Sequence, residues 1–219
     1  MKYTHVKTLI RKELTLEWRQ KYAIGGVVLY LVSMVFVAYL SFEGIIPLQT
    51  WNALFWLIML FAAMNTILKA FVQEHGDRYL YYYSLLNPTD FIVAKTIYNA
   101  LLMLLMGGLG LVIFIAFMGN PIQSMGLFVV NILLGMTGLA SVLTLISAIA
   151  SGAKNNFTLM AVLGFPLVLP LLLLLIRVSS AAMGGSAFVP LAADILIIAM
   201  IILIANLLSF LLFPYIWRL

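Results

Sequence analysis

Cysteine is absent from this chain and charge is scarce: Asp, Glu, Lys and Arg make up 9% of its 219 residues. The first absence excludes disulfide bridges, thiolate metal sites and cysteine nucleophiles, and it says nothing of compartment in a chain that lies mostly in lipid. The second excludes a water-soluble fold. A soluble domain covers itself with about 25% charged residues, whereas 65% of this sequence is hydrophobic. Histidine is nearly missing too. His5 and His75 stand alone, neither with a second ligand at helical spacing, and a lone histidine on an interfacial helix is ordinarily a polar residue rather than a haem or metal ligand. A net charge of +5 would suggest nucleic acid in a soluble protein. Here the position of the bases matters more than their sum, and no nucleic-acid partner is expected.

Other absences bear on chemistry. The Gly152-Ala153-Lys154 trio lacks the upstream glycine loop and following Ser or Thr of a nucleotide-binding loop. No zinc motif, lipid-embedded aspartate pair or serine elbow is present, so neither proteolysis nor lipid hydrolysis is expected. Within the apolar stretches Lys69 is the only ionisable side chain, placed where it can snorkel outward. Carriers driven by ion gradients generally place ionisable groups near the midplane. The sequence therefore reads as a non-catalytic membrane protein whose energy comes from elsewhere.

A bilayer core about 30 Å thick needs roughly 20 apolar helical residues. Six such stretches stand out: Tyr22 to Ser41, Trp51 to Phe71, Thr96 to Phe117, Met125 to Ala150, Phe157 to Ile176 and Ile195 to Phe213. The breaks hold loop residues, among them Pro47, Asn87-Pro88, Gly119-Asn120-Pro121, Gly152 and Gly184-Gly185. The fold expected is all-α, with an N-terminal segment 1–21, a six-helix transmembrane domain 22–214 and a short tail 215–219. The first span follows a charged segment and precedes no small-residue cleavage site, which argues against a cleaved signal peptide. Lys and Arg divide eleven to one, with only Arg177 on the far side. The positive-inside rule then places both termini in the cytoplasm.

Residues Lys2 to Lys21 alternate apolar and basic positions at three- and four-residue spacing. This predicts an amphipathic helix lying along the headgroups, either a plain basic anchor or an elbow braced against the bundle. The second connection, 72–94, is too long for a turn and carries Glu74, Gly76, Asp77, Tyr81 and Pro88. It is either an interfacial tyrosine belt or a docking surface for a cytoplasmic partner. In span four, Asn131, Gly135, Gly138, Ser141, Thr144 and Ser147 form a stripe of small and polar residues. Such a stripe packs helices within one bundle, or forms a dimer seam between two copies, or faces a substrate. Span five holds Pro166 and Pro170, which strip the carbonyls of Val162 and Pro166 of their donors. A kink is expected, with that side of the helix turned towards the bundle or a polar cavity, as a static bend or a moving hinge.

Three pieces of sequence resemble one family. Leu9-Ile10-Arg11-Lys12-Glu13-Leu14 is similar to its arginine-glutamate-leucine start, Leu85-Leu86-Asn87-Pro88 followed by Ala94-Lys95 opens span three, and Phe165-Pro166-Leu167-Val168-Leu169-Pro170-Leu171-Leu172 looks like its proline-leucine-leucine segment. The family is CcmB, the membrane subunit of the haem-exporter type ABC complex of cytochrome c maturation, within the ABC-2 permease group. The resemblance covers nearly the whole chain. It implies an ABC-2 type permease in the bacterial inner membrane that binds no cofactor itself, with ATP on a CcmA-like ATPase, haem as the candidate substrate and a CcmC-like haem-handling membrane protein as a further partner. An ABC-2 exporter of lipid or polysaccharide, and a scaffold that transports nothing, are the alternatives. Family members often follow the glycine of the cytoplasmic connection with leucine-glutamate, whereas here Gly76 leads into Tyr79-Leu80-Tyr81-Tyr82-Tyr83. The coupling role implied by the resemblance therefore passes to the segment and not to one side chain: Glu74 or Asp77 replaces the acidic docking residue, or the partner surface differs.

Overall fold

The computed structural model describes residues 3–19, 21–42, 46–72, 87–151, 156–185 and 191–217. Among them are seven helices: α1 Tyr3–Arg19, α2 Lys21–Ser41, α3 Leu48–Val72, α4 Pro88–Met118, α5 Met125–Ser151, α6 Asn156–Met183 and α7 Ala192–Ile216. Helices α3 to α7 are long and apolar enough to cross a membrane, and α2 carries a shorter apolar stretch over Gly25–Ser41. Every described element is helical, as expected of backbone whose polar groups must be satisfied within the segment in lipid.

Contacts along the helices give their directions. The starts of α3 and α5 meet the ends of α4 and α6 at one end of the bundle, through Trp51, Phe128 and Phe114 and a 2.9 Å bond from the Ser124 amide to the Ala182 carbonyl. The start of α4 meets the ends of α5 and α7 at the other, around Phe91, Ala148 and Phe213. Successive spans therefore alternate in direction. Helix α1 packs on α4 at the second end, here called basal, and the first is called distal.

Helix α5 is the axis of the bundle. It packs against α3, α4, α6 and α7 and is largely buried, whereas α7 turns most of its surface outward. Small residues explain the difference, because with no Cβ at Gly135 and Gly138 neighbouring side chains lie where a methyl group would stand.

The helices outrun the apolar stretches. Helix α4 has 31 residues, about 46 Å of helix against a core of about 30 Å. It begins at Pro88, not at Thr96, because Asn87 takes an extended N-cap conformation and Pro88 occupies the first turn, where its missing amide is no loss. The connection expected over 72–94 is shorter by its last two helical turns. Helix α6 runs through Arg177 to Met183, and α7 begins before Asp194. Lys69 is therefore not the only ionisable residue in the long helices, which also contain Asp90, Lys95, Arg177 and Asp194. The distal turn after α4 uses Gly119 at φ 76°, a conformation that favours glycine, and the Asn120 side chain accepts the Ile122 amide at 3.1 Å.

Candidate functional site

Two constructions inside the bundle use polar side chains. The distal one is centred on Ser179 of α6. Its hydroxyl lies 2.6 Å from Asn52 Oδ1 and accepts the indole N–H of Trp56 at 2.9 Å. Asn52 Nδ2 donates to the Ile176 carbonyl at 2.8 Å, and Asn131 Nδ2 of α5 donates to the Leu175 carbonyl at 2.9 Å. Two helices, α3 and α5, are thus tied to one stretch of α6 by side chains that water does not reach. Around them Trp51, Phe55, Trp56, Phe114 and Phe128 form a buried aromatic nest, with Trp51 stacked on Phe55 at 5.6 Å and edge-on to Phe114 at 5.1 Å. Asn131 Oδ1 and Trp51 Nε1 are buried and have no hydrogen-bond partner among the described residues. Further towards the basal end, Asn206 of α7 donates to Ser141 at 3.1 Å and Asn99 of α4 to Thr144 at 2.9 Å.

The small-residue stripe of α5 faces helices of this same chain. Gly135 lies against the Trp56 ring and Leu175, Gly138 against Leu171 and Ile202, and Ser141 against Asn206. The proline pair does not turn inward as expected. Pro166 and Pro170 lie on the exposed side of α6, with Val162 66% and Phe165 64% exposed, while Val168, Leu171 and Leu175 make the buried side. The stripe of buried residues that α6 offers to α3 and α5 leaves no room there for the two rings. One helix continues through both prolines.

The basal construction is a platform below the spans. Val6 and Leu9 of α1 pack against Ala94 of α4, so this part of the apolar stripe is buried on the bundle while Lys7, Arg11 and Leu14 stay exposed. Lys95, 3% exposed, places its ammonium 3.4 Å from Glu13 Oε2, and Lys12 shares the other carboxylate oxygen at 3.3 Å. The same ammonium stands 5.9 Å from the centre of the Phe91 ring. Phe91 in turn stacks on Phe213 at 5.8 Å and leans on Trp217 at 5.2 Å, both at the end of α7. Removing one partner of a buried ion pair costs about 3–5 kcal/mol, since the other charge is left alone. Asp90 lies in the first turn of α4, fully buried, and among the described residues neither of its carboxylate oxygens has a hydrogen-bond partner. The positive end of the α4 dipole favours its charge.

Of the coupling residues read from the sequence, Pro88 heads α4, and Glu74, Gly76, Asp77 and Tyr81 lie outside the described residues. The sequence reading missed the Ser179 hub, the Asn99–Thr144 bond and the Glu13–Lys95 pair. The available signal was the few amide residues in the apolar spans, among them Asn52, Asn99, Asn131 and Asn206, since a polar side chain at lipid depth needs a partner. On the distal side, Arg177 Nε lies 3.2 Å from Asp194 Oδ2, linking α6 to α7.

A bundle of long apolar helices around one small-residue helix, tied by buried amides and hydroxyls and braced at one end by an amphipathic helix, defines a polytopic helical membrane protein. The family model for the CcmB protein matches residues 4–215. The chain belongs to the CcmB family, whose members are membrane, permease-type subunits of the haem-exporter ABC system of cytochrome c biogenesis. No curated protein matches the chain.

Proposed function

We propose that this chain is the permease subunit through which a separate CcmA-like ATPase drives haem export, or the release of haem from its carrier, during cytochrome c maturation. The family match over residues 4–215 carries this reading. The chain contributes the membrane path and the mechanical connection, ATP is bound by the partner, and haem is cargo rather than a resident cofactor. A CcmC-like membrane protein receives or presents the haem. The basal end faces the cytoplasm of the bacterial cell across its inner membrane, in line with the eleven-to-one division of Lys and Arg.

The ATPase docks on segment 72–94. Two features support that placement: the segment is the longest connection on the basal side, and its last residues are the first turns of α4, on which α1 and α7 rest. A chain without cysteine is suited to the test. Cysteines introduced by Glu74→Cys or Tyr81→Cys are expected to crosslink to the ATPase in isolated membranes. Crosslinks formed only from the connection around Lys154 would move the docking site there.

A further inference from the structure

Glu13 belongs to α1, Lys95 and Phe91 to α4, and Phe213 and Trp217 to the end of α7 and the residue after it. Glu13 and Lys95 meet at 3.4 Å, Lys95 lies over Phe91, and Phe91 stacks on Phe213. These contacts form one unbroken line across the basal face. Every link is buried or nearly so, with Lys95 3% and Phe213 3% exposed and the Glu13 side chain 16% exposed, so water does not loosen it. Apolar packing of Val6 and Leu9 on Ala94 runs beside the ion pair. That packing would hold α1 on the bundle without any charge. A buried ammonium and carboxylate are a costly way to add adhesion, and a directional pair of this kind fixes the register of one element on another.

Position gives the line its use. Pro88 is where segment 72–94 becomes helix, and Phe91 and Lys95 follow within two turns. A displacement entering α4 at Pro88 reaches Phe91 and Lys95 before it reaches the membrane-spanning part of the helix. We propose that Glu13, Lys95 and Phe91 make α1, the base of α4 and the end of α7 a single lever, so that the push delivered at Pro88 moves the elbow and the last span together. Glu13 and Lys95 are positioning residues. They touch no nucleotide and no haem, and they set which helices move as one. The proposal rests on the reading of this chain as an ATP-driven permease subunit.

The experiment uses the whole complex in the cells that make it, with Glu13→Gln, Lys95→Gln and the charge exchange Glu13→Lys with Lys95→Glu. Three quantities are measured for each: assembled complex, ATPase rate per complex, and holocytochrome formed per complex. Either single substitution is expected to lower holocytochrome per complex by about tenfold, the size of a typical coupling term, while the ATPase rate stays within about twofold. The exchange is expected to restore part of the loss, since it rebuilds the pair with its charges reversed but gives up the ammonium over Phe91 and the Lys12 contact. Normalising to assembled complex separates the lever from a staple. Singles that reduce only the yield, and mature cytochrome at the full rate per complex, would overturn the lever. So would an exchange that leaves the defect in place. Deletion of the entire chain supplies the separate control: if holocytochrome still forms without it, the permease reading fails, not the lever alone.

Discussion

A single hydroxyl, Ser179 Oγ, stands between Asn52 Oδ1 at 2.6 Å and Trp56 Nε1 at 2.9 Å. Ser179→Ala removes it and leaves a buried carbonyl and a buried indole N–H without a mate. A loss of about 1–3 kcal/mol is expected, read as a lower unfolding temperature of the detergent-solubilised protein, and an unchanged temperature would show that the two groups re-pair. Glycines rank by what stands in front of them. At Gly135 a methyl group meets the rigid, fully buried Trp56 ring, whereas at Gly110 it meets only the flexible end of Met59. Gly135→Ala is expected to destabilise by about 1–3 kcal/mol from overpacking, and Gly110→Ala to be near neutral because methionine re-routes and alanine favours the helix by about 1 kcal/mol. Equal melting shifts for the two would contradict the packing described. Asp90 gives a prediction of opposite sign. Among the described residues its buried carboxylate has no hydrogen-bond partner, so Asp90→Asn, which removes the charge, is expected to raise the unfolding temperature of the isolated chain. A fall would show that the charge is matched by a group not seen paired with it. These residue-level features were only partly legible in sequence. The stripe around Gly135, Gly138 and Ser141 follows from spacing, but which helix each member faces depends on the rotation of α6 and α7, which no local pattern encodes.

At the scale of elements, Pro166 and Pro170 set the clearest test. Both rings lie on the exposed side of α6, so replacing them disturbs no packing within the chain and restores two backbone donors. If the pair serves as a hinge, the double substitution Pro166→Ala and Pro170→Ala is expected to insert and assemble normally while holocytochrome formation falls. Full maturation in the double variant would rule the hinge out. Helix existence was legible throughout, since six apolar stretches match six helices, and the boundaries were less so. Asn87-Pro88 reads as a break in an apolar pattern, yet the same dipeptide starts a helix: asparagine takes the N-cap position in extended backbone and proline fits the first turn. Charge at Arg177 and Asp194 likewise suggested the ends of spans, whereas the two residues pair across α6 and α7 at 3.2 Å and stay helical. The outward turn of the proline side was hidden for a different reason. Freed carbonyls favour a polar neighbour, but the buried stripe Val168, Leu171 and Leu175 decides which side of α6 meets α5, and the prolines fall opposite it.

For the whole molecule, the membrane class and the family follow from composition and from the three quoted sequence pieces, because lipid restricts the chain to helices that hydropathy reveals. How the basal elements join does not follow, since Glu13 and Lys95 are far apart in sequence and only the folded bundle brings them together. Topology is checked by fusing reporters that work only outside the cytoplasm: silence is expected at Leu219 and activity between Glu43 and Thr50, and an active C-terminal fusion would contradict the orientation. The most direct test of the function is holocytochrome c formed by the native host after deletion of this chain, measured beside apocytochrome and restored by the chain from a plasmid, with either an intact CcmA-like ATPase or one unable to hydrolyse ATP. The expected result is apocytochrome without haem in the deletion, and rescue only with the intact ATPase. Normal holocytochrome in the deletion strain, with a defect in lipid or polysaccharide export instead, would contradict it.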